Sequence, residues 1–347
     1  MDVGSPNTCM GMEFYSKWRN LSALTDRLSG TNRRRIGRSY ENRSIWAYDV
    51  GNHSAPHRIV VVGTQHAREW ISAMATTYVA ERLTPIDGVL VTVVPVSNPD
   101  GYAYTWLDDT TRFWRSNRNL DDCEYGVNLN RNWDVDFEGG TLSSATCHPN
   151  LYRGTAPRSE PETAALATTI GNGTLVMDVH SYGEMVLGPW GHTKEAHPQA
   201  DRIQELLVDV ASVLGYETVG STASTLYPVS GILGDYASVD GVGLTVELSP
   251  KGVHHGMEGF RLDEREIRPT AAATLQAVGT AARWMLNSSS NRSNESTAEP
   301  THLWLWILVS ILGTTVVLIG LAVALRRVPR RSDRPKYTVV PSIQRMV

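Results

Sequence analysis

Cysteine is scarce in this chain, with three residues in 347, too few for a scaffold held together by disulfides. Glycine and proline, 29 and 17 residues, follow no period, which excludes a collagen-like repeat. With 41% hydrophobic and 20% charged residues, the chain is not a disordered tail either. No internal repeat is visible. The first 18 residues, MDVGSPNTCMGMEFYSKW, lack the basic region and apolar stretch of a secretory leader. A surplus of positive charge is missing as well. The formal net charge of −4 averages two unlike regions. From Arg326 onward seven basic residues face one acid, Asp333, whereas residues 1–325 hold 25 basic and 35 acidic side chains. A body with a net charge of −10 argues against a nucleic-acid partner. What remains is a chain long enough to bury a large core, as one big domain or two ordinary ones.

The basic tail follows a 23-residue stretch without charge, Leu303–Leu325. As a helix rising about 1.5 Å per residue, it is long enough to cross a hydrocarbon core of about 30 Å. Trp304 and Trp306 sit at one end, where indoles favour the interface. Arg326 and Arg327 close the other end and mark it as cytoplasmic. A buried core helix is the plainer alternative, but no amphipathic stripe breaks the run. The stretch Asn287–Thr301 before it is nearly devoid of apolar residues and reads as a stalk. It holds Asn-X-Ser/Thr sequons at Asn287, Asn291 and Asn294, and four more lie at Asn20, Asn42, Asn52 and Asn172, as suits a glycosylated extracellular surface. The expected organisation is an N-terminal extension (1–9), one body (10–286), the stalk (287–302), a transmembrane helix (303–325) and a basic cytoplasmic tail (326–347). The body would then be extracellular or lumenal at the cell membrane. A tail-anchored chain with a cytosolic body is the rival topology, and the basic tail opposes it. With no leader visible, either the chain begins short of one or the anchor itself directs insertion.

Within the body, apolar or alternating runs bounded by turn residues predict strands at Ser44–Val50, Arg58–Gly63, Val89–Val96, Thr174–His180 and Gly243–Leu248. Helical spacing predicts helices at Ser72–Leu83, Glu160–Ile170, Gln199–Leu214 and Glu264–Leu286. Strands alternating with helices argue for an α/β sheet covered on both faces. In such sheets a site is expected beyond the carboxyl ends of the strands. His66 and Glu69 stand there, in GTQHAREW, directly after the run RIVVVG. His180, in TLVMDVHSY, ends another apolar run. Two histidines, one carboxylate and an open fourth position form the ligand set of catalytic zinc hydrolases. A surface salt bridge is the bland alternative for His66 and Glu69. Spacing alone does not bring His180 to them.

Nine motifs run in order through the body over roughly 250 residues: IGRSYENRSIW, HAREW, NPDGYAYTW, RFWR, GVNLNRNW, DVHSY, LYPVSGILGDY, TVELS and the final helix. In that order the chain resembles zinc metallocarboxypeptidases of the carboxypeptidase A/B family. The resemblance implies a three-layer α/β/α fold with a mixed, mainly parallel central sheet. It implies one Zn²⁺ per chain on His66, Glu69 and His180. Glu247 would be the general base, able to take a proton from the attacking water and deliver it to the leaving amine. Arg115 would stabilise the developing oxyanion. Asn130 and Arg131 would grip the terminal carboxylate of the substrate, a task suited to the planar guanidinium fork. Tyr227 would close over the bound end, and Arg68 would assist further out. Ser181 and Tyr182, from DVHSY, join the substrate-binding set. Cys123 and Cys147 align with a family disulfide, which would set an oxidising compartment; two reduced thiols are the alternative. The substrates implied are the C-termini of peptides and proteins.

Three departures from the family pattern stand out. Asn128 occupies a position often held by Asp, which in the family hydrogen-bonds a ligand imidazole; an amide can accept that bond without the charge. The glycine before His66 lies one residue earlier than in the pancreatic enzymes. Only a few residues stand before the body, so no inhibitory propeptide is visible in this sequence. For specificity, Gly234 corresponds to the Asp of basic-selective members, Gly191 falls where other members place an acid, and Leu187, Leu226, Val229 and Ile232 supply apolar lining. A pocket without a carboxylate offers Lys or Arg nothing for its desolvation, so apolar or aromatic terminal residues are expected. Two rivals are a catalytically silent cell-surface peptide-binding or adhesion protein on the same fold, and a zinc amidohydrolase acting on a non-peptide amide. Glu247 speaks against the first, and Asn130 with Arg131 against the second.

Overall fold

The computed structural model describes residues 13–296. One eight-stranded sheet organises them, built from β1 (Arg33–Arg38), β2 (Ser44–Val50), β3 (His57–Gly63), β4 (Val89–Val94), β5 (Leu175–Ser181), β6 (Met185–Gly188), β7 (Thr218–Ser221) and β8 (Val242–Leu248). The strand order is β1-β2-β4-β3-β5-β8-β6-β7. Its centre, β4-β3-β5-β8, is parallel. β1 on β2, β2 on β4 and β6 on β8 are antiparallel, and β7 pairs parallel with β6. The sheet is therefore mixed, with its parallel part confined to the middle.

The central strands are buried on both faces, which is why they read as continuous apolar runs rather than alternating ones. Alternation nevertheless sorts their side chains. Ile59, Val61, Met177, Val179, Leu244 and Val246 face one core, shared with Met74, Leu206 and Val278. These come from α2 (Trp70–Arg82), α5 (Ala200–Leu214) and α8 (Ile267–Ser296), and the short α1 (Leu21–Arg27) adds Leu24. Val60, Val62 and Val176 face the other core, closed by Trp133, by Ala165 and Leu166 of α4 (Pro161–Ala167) and by Leu233 and Ala237 of α7 (Leu233–Ser238). Two more short helices, α3 (Pro99–Tyr104) and α6 (Thr222–Thr225), sit in connections. Helices on both faces of one sheet make three layers.

The expected strands and helices are all present, within a few residues at their ends except at the C-terminal end of α8. Three strands go beyond the expectation. β1 carries four arginines and no continuous apolar run, because an edge strand needs only one hydrogen-bonded neighbour and solvates its other side. β6 and β7 are four residues each, too short to show a period. α8 also runs ten residues past Leu286, to Ser296. Adding a residue to an existing helix needs one hydrogen bond and no core contact, so a polar segment continues it. Among the described residues no helix is long and apolar enough to cross a membrane. The extension 1–9, the apolar run 303–325 and the tail 326–347 lie outside the described residues.

Candidate active site

The carboxyl ends of β3, β5 and β8 carry the chemistry. β3 ends at Gly63, where a Cβ would lie 2.4 Å from Thr76 Oγ1 and 2.5 Å from the Pro95 carbonyl oxygen. Glycine is required there by close approach. The left-handed turn that follows falls on Thr64, at φ 59°, a region that costs a residue with a Cβ about 1 kcal/mol or more. Its bonds hold it there: Thr64 N–H donates to Ser72 Oγ at 3.0 Å and Thr64 Oγ1 to the Pro95 carbonyl at 2.9 Å. The glycine displaced by one residue thus serves packing, and a hydrogen-bonded threonine makes the turn.

That turn delivers His66 and Glu69, and the end of β5 delivers His180. One atom from each of the three lies within 4.8 Å of the others, and all three are buried. Glu69 Oε1 is 2.8 Å from His66 Nδ1, and Oε2 is 2.9 Å from His180 Nδ1. The two Nδ1 atoms stand 3.1 Å apart. The outer bonds decide the tautomers. Asn128 Oδ1 accepts from the Asn130 N–H at 3.0 Å while its Nδ2 donates to the Asn150 carbonyl at 2.7 Å. His66 Nε2, 3.1 Å from that Oδ1, must therefore be its donor. His180 Nε2 lies 2.8 Å from Asp178 Oδ2, a carboxylate that favours the ring proton on that nitrogen. Both Nδ1 atoms then turn lone pairs toward each other and toward a carboxylate. Only a cation makes such a meeting favourable. Two imidazoles and one carboxylate are a donor set that fits zinc.

The charges agree with that reading. Burial pushes Glu69 up, but the two adjacent imidazoles outweigh it and hold its carboxyl well below the usual range. Burial and the Arg115 charge lower His66 well below an ordinary imidazole, keeping it neutral as a ligand must be. Burial lowers His180 too, yet the Asp178 and Glu69 carboxylates outweigh it and raise that imidazole. A proton would therefore compete with any metal ion for His180.

Glu247 stands on β8 opposite His180 in the parallel ladder. Burial pushes its carboxyl up to about 8, against the pull of His180. An open cavity of about 540 Å³ joins these groups, lined by His66, Glu69, Arg115, Ser181, Tyr182 and Glu247 on its polar side. Leu226, Tyr227, Met185, Val253 and Phe260 complete the wall. Arg115 Nη1 is 3.8 Å from Glu69 Oε1. Arg68 lies over the Phe260 ring at 4.4 Å. Arg131 donates from Nε to the Leu142 carbonyl and from Nη1 to the Asn130 carbonyl, each at 2.7 Å. Gly231 (φ 70°) leaves room against the Arg131 carbonyl, 2.4 Å from where a Cβ would sit, which ties the Tyr227 loop to the Arg131 turn. Cys123 and Cys147 are joined by a disulfide around that turn.

Some expected residues take other places. Asn130 turns its amide inward: Oδ1 accepts from the Leu233 N–H at 2.8 Å, and Nδ2 lies 3.2 Å from His180 Nε2. Leu187, Val229 and Ile232 are buried. Ile232 reaches over Gly191, 2.5 Å from where a Cβ there would be, and lies 3.9 Å from the equivalent point on Gly234. Of the expected apolar lining, the cavity takes Leu226. Sequence reasoning missed Met185, Val253 and Phe260, which reach the cavity from β6 and the loops after β8. It also missed Asp178 and Gln65, although both lie inside the quoted motifs, two residues before His180 and one before His66.

A family model described as zinc carboxypeptidase matches residues 21–277. Carboxypeptidase A5 of Macaca fascicularis is 31% identical over 298 residues, covering 80% of this chain and 67% of that protein. Carboxypeptidase B of Canis lupus familiaris is 32% identical over 313 residues, covering 81% and 73%. The chain thus spans about two thirds of the length of the first of these relatives. The structure of bovine thrombin-activatable fibrinolysis inhibitor in complex with tick carboxypeptidase inhibitor superposes with a TM-score of 0.68 at 26% identity, over 79% of this chain and 99% of that one. The matched span takes in the sheet, the converging histidines and the β8 glutamate, and by it this chain belongs to the zinc carboxypeptidase family.

Proposed function

We propose that the protein is a zinc-dependent exopeptidase that hydrolyses the C-terminal peptide bond of peptides and proteins, with a preference for apolar or aromatic terminal residues. The observation that carries this reading is a cluster of cations. Arg68, Arg115 and Arg131 are 2%, 9% and 3% exposed. Burial and the Arg115 charge push Arg68 down to about 9 and Arg131 down to about 10, so both stay charged near neutrality. Arginines that repel one another in a dry site gain most from an anion of fixed geometry, and a substrate's terminal carboxylate is one.

In this reading Arg131 receives the carboxylate and Tyr227 closes beside it, while Asn130 holds the His180 end of the site in place. Zinc held by His66, Glu69 and His180 would supply Lewis acidity toward the carbonyl and a water. Glu247, opposite His180 in the β5–β8 ladder, takes the proton of the attacking water and returns it to the leaving amine. Arg115 neutralises the oxygen on which negative charge grows. The matching assay is release of C-terminal residues from blocked dipeptides, with and without a chelator. Release that a chelator leaves undiminished overturns the reading.

We further propose that the apolar run 303–325 anchors the chain in the cell membrane with its body outside, its basic tail then facing anionic inner-leaflet lipid. The run and its basic flank support this, and the sequons at Asn20, Asn42, Asn52 and Asn172 are all exposed. Glycosidase treatment of the protein from a secreting cell should increase its gel mobility. An unchanged mobility argues for the cytosolic topology.

A further inference from the structure

The two ligand imidazoles are backed differently. Behind His66 stands a neutral amide, Asn128. Behind His180 stands a carboxylate, Asp178, wholly buried. Period-two alternation along β5 puts Asp178 and His180 on one face, two residues apart, and the carboxylate reaches back to the ring's outer nitrogen at 2.8 Å.

A buried carboxylate in such a place needs its remaining lone pairs satisfied. Gln65 does this, its Nε2 donating to Asp178 Oδ1 at 2.8 Å and to Oδ2 at 2.9 Å. Gln65 is itself fixed, since its Oε1 accepts from Trp133 Nε1 at 3.2 Å and Trp133 is wholly buried. Asn130 adds a longer bond to Oδ2 at 3.3 Å. The chain Trp133–Gln65–Asp178–His180 therefore starts in the core beneath α4 and α7 and ends on a ligand nitrogen. Gln65 also adjoins His66 in sequence, so one loop positions both a ligand and the clamp on the partner ligand's carboxylate.

We propose that Asp178, held by Gln65, is the positioning residue of the metal site. It supplies through His180 the negative charge that Asn128 does not supply through His66. A carboxylate behind an imidazole fixes its tautomer and aim and raises its basicity as a ligand. The inference rests on the zinc site read above, and it assigns that site's outer charge to one strand rather than to the turn at Asn128.

The test uses the full-length protein and zinc alone as the probe, with affinity read by competition against a chelator of known strength. Asp178→Asn should weaken zinc binding about 10- to 100-fold. Gln65→Met, which leaves the carboxylate but removes its clamp, should weaken it less. Thermal unfolding without metal tells a folded variant from a misfolded one. In the folded Asp178→Asn protein, the His180 Nε2–H proton resonance should move upfield while that of His66 holds. An Asp178→Asn protein that binds zinc as tightly as the parent overturns the proposal, and so does an unmoved His180 resonance. If the parent itself takes up no zinc, the site reading fails and this inference fails with it. A parent that binds one zinc beside an equally tight variant sinks the inference alone.

Discussion

His180 and Glu247 are register partners across the parallel pairing of β5 and β8. Partners in a ladder share a face, so a ligand imidazole and the proposed base meet without any loop to place them. Side chains at strand ends hold their positions through the sheet's own hydrogen bonds.

Removing that base should therefore leave the metal in place. Glu247→Gln is expected to lower kcat about 10²- to 10⁴-fold with zinc stoichiometry unchanged. Steady-state kinetics beside metal analysis checks it. Loss of zinc along with activity would show that Glu247 holds the site rather than acting in it.

Zinc affinity should fall as the solution is acidified. His180 is raised above the ordinary imidazole range by Asp178 and Glu69 despite burial, so in the metal-free protein it carries a proton from low pH upward. Binding must displace that proton, which costs about tenfold in affinity for each pH unit below the raised value. Chelator competition from pH 5 upward reads the slope. A flat profile would mean that His180 enters the site already neutral.

Terminal Phe should leave faster than terminal Arg from otherwise matched peptides. The cavity wall beyond the polar groups is Leu226, Met185, Val253 and Phe260, and Arg68, Arg115 and Arg131 repel a further cation. The ratio of kcat/KM values is the measurement, and faster Arg release overturns the preference.

The disulfide between Cys123 and Cys147 closes a loop of sequence separation 24 that contains Asn128, Asn130 and Arg131. Closing a loop of that length contributes about 3 kcal/mol by constraining the unfolded chain. The Cys123→Ser, Cys147→Ser double variant should lose about that much in denaturant unfolding, and KM should rise as the Arg131 turn loosens.

Glu162 predicts a pH dependence of stability away from the site. Burial, with smaller repulsion from Asp100, raises its carboxyl to about 7. The Tyr40 N–H donates to it at 3.0 Å and Asn117 Nδ2 at 3.2 Å. Its folded value exceeds the unfolded one of 4.5, so its contribution is full below pH 4.5 and is lost as pH rises to about 7. The loss is on the order of 3 kcal/mol. Glu162→Gln should flatten stability across that window, as denaturation at a series of pH values would reveal.

Much of this protein was decided locally and could be read that way. The runs that became β2, β3, β4, β5 and β8 are apolar because both sheet faces are covered. The donor types at His66, Glu69, His180 and Glu247 are set by chemistry that tolerates few substitutes. Where those groups would meet was not local. The meeting of His180 with His66 depends on β5 lying beside β3, and that of His180 with Glu247 on β8 lying beside β5. Neither pairing leaves a short-range pattern. The edge strand β1 was hidden by its arginines, which solvent accommodates. Asn130 carried a binding-type signature, yet packing turned its amide toward His180 and the Leu233 N–H. Asp178 takes its place only through Gln65, which Trp133 holds, both reaching in from other segments. By itself the sequence determined which groups are available and which segments form strands and helices. Tertiary structure decided which groups face one another, because a buried charge takes its role from neighbours that the chain order does not reveal.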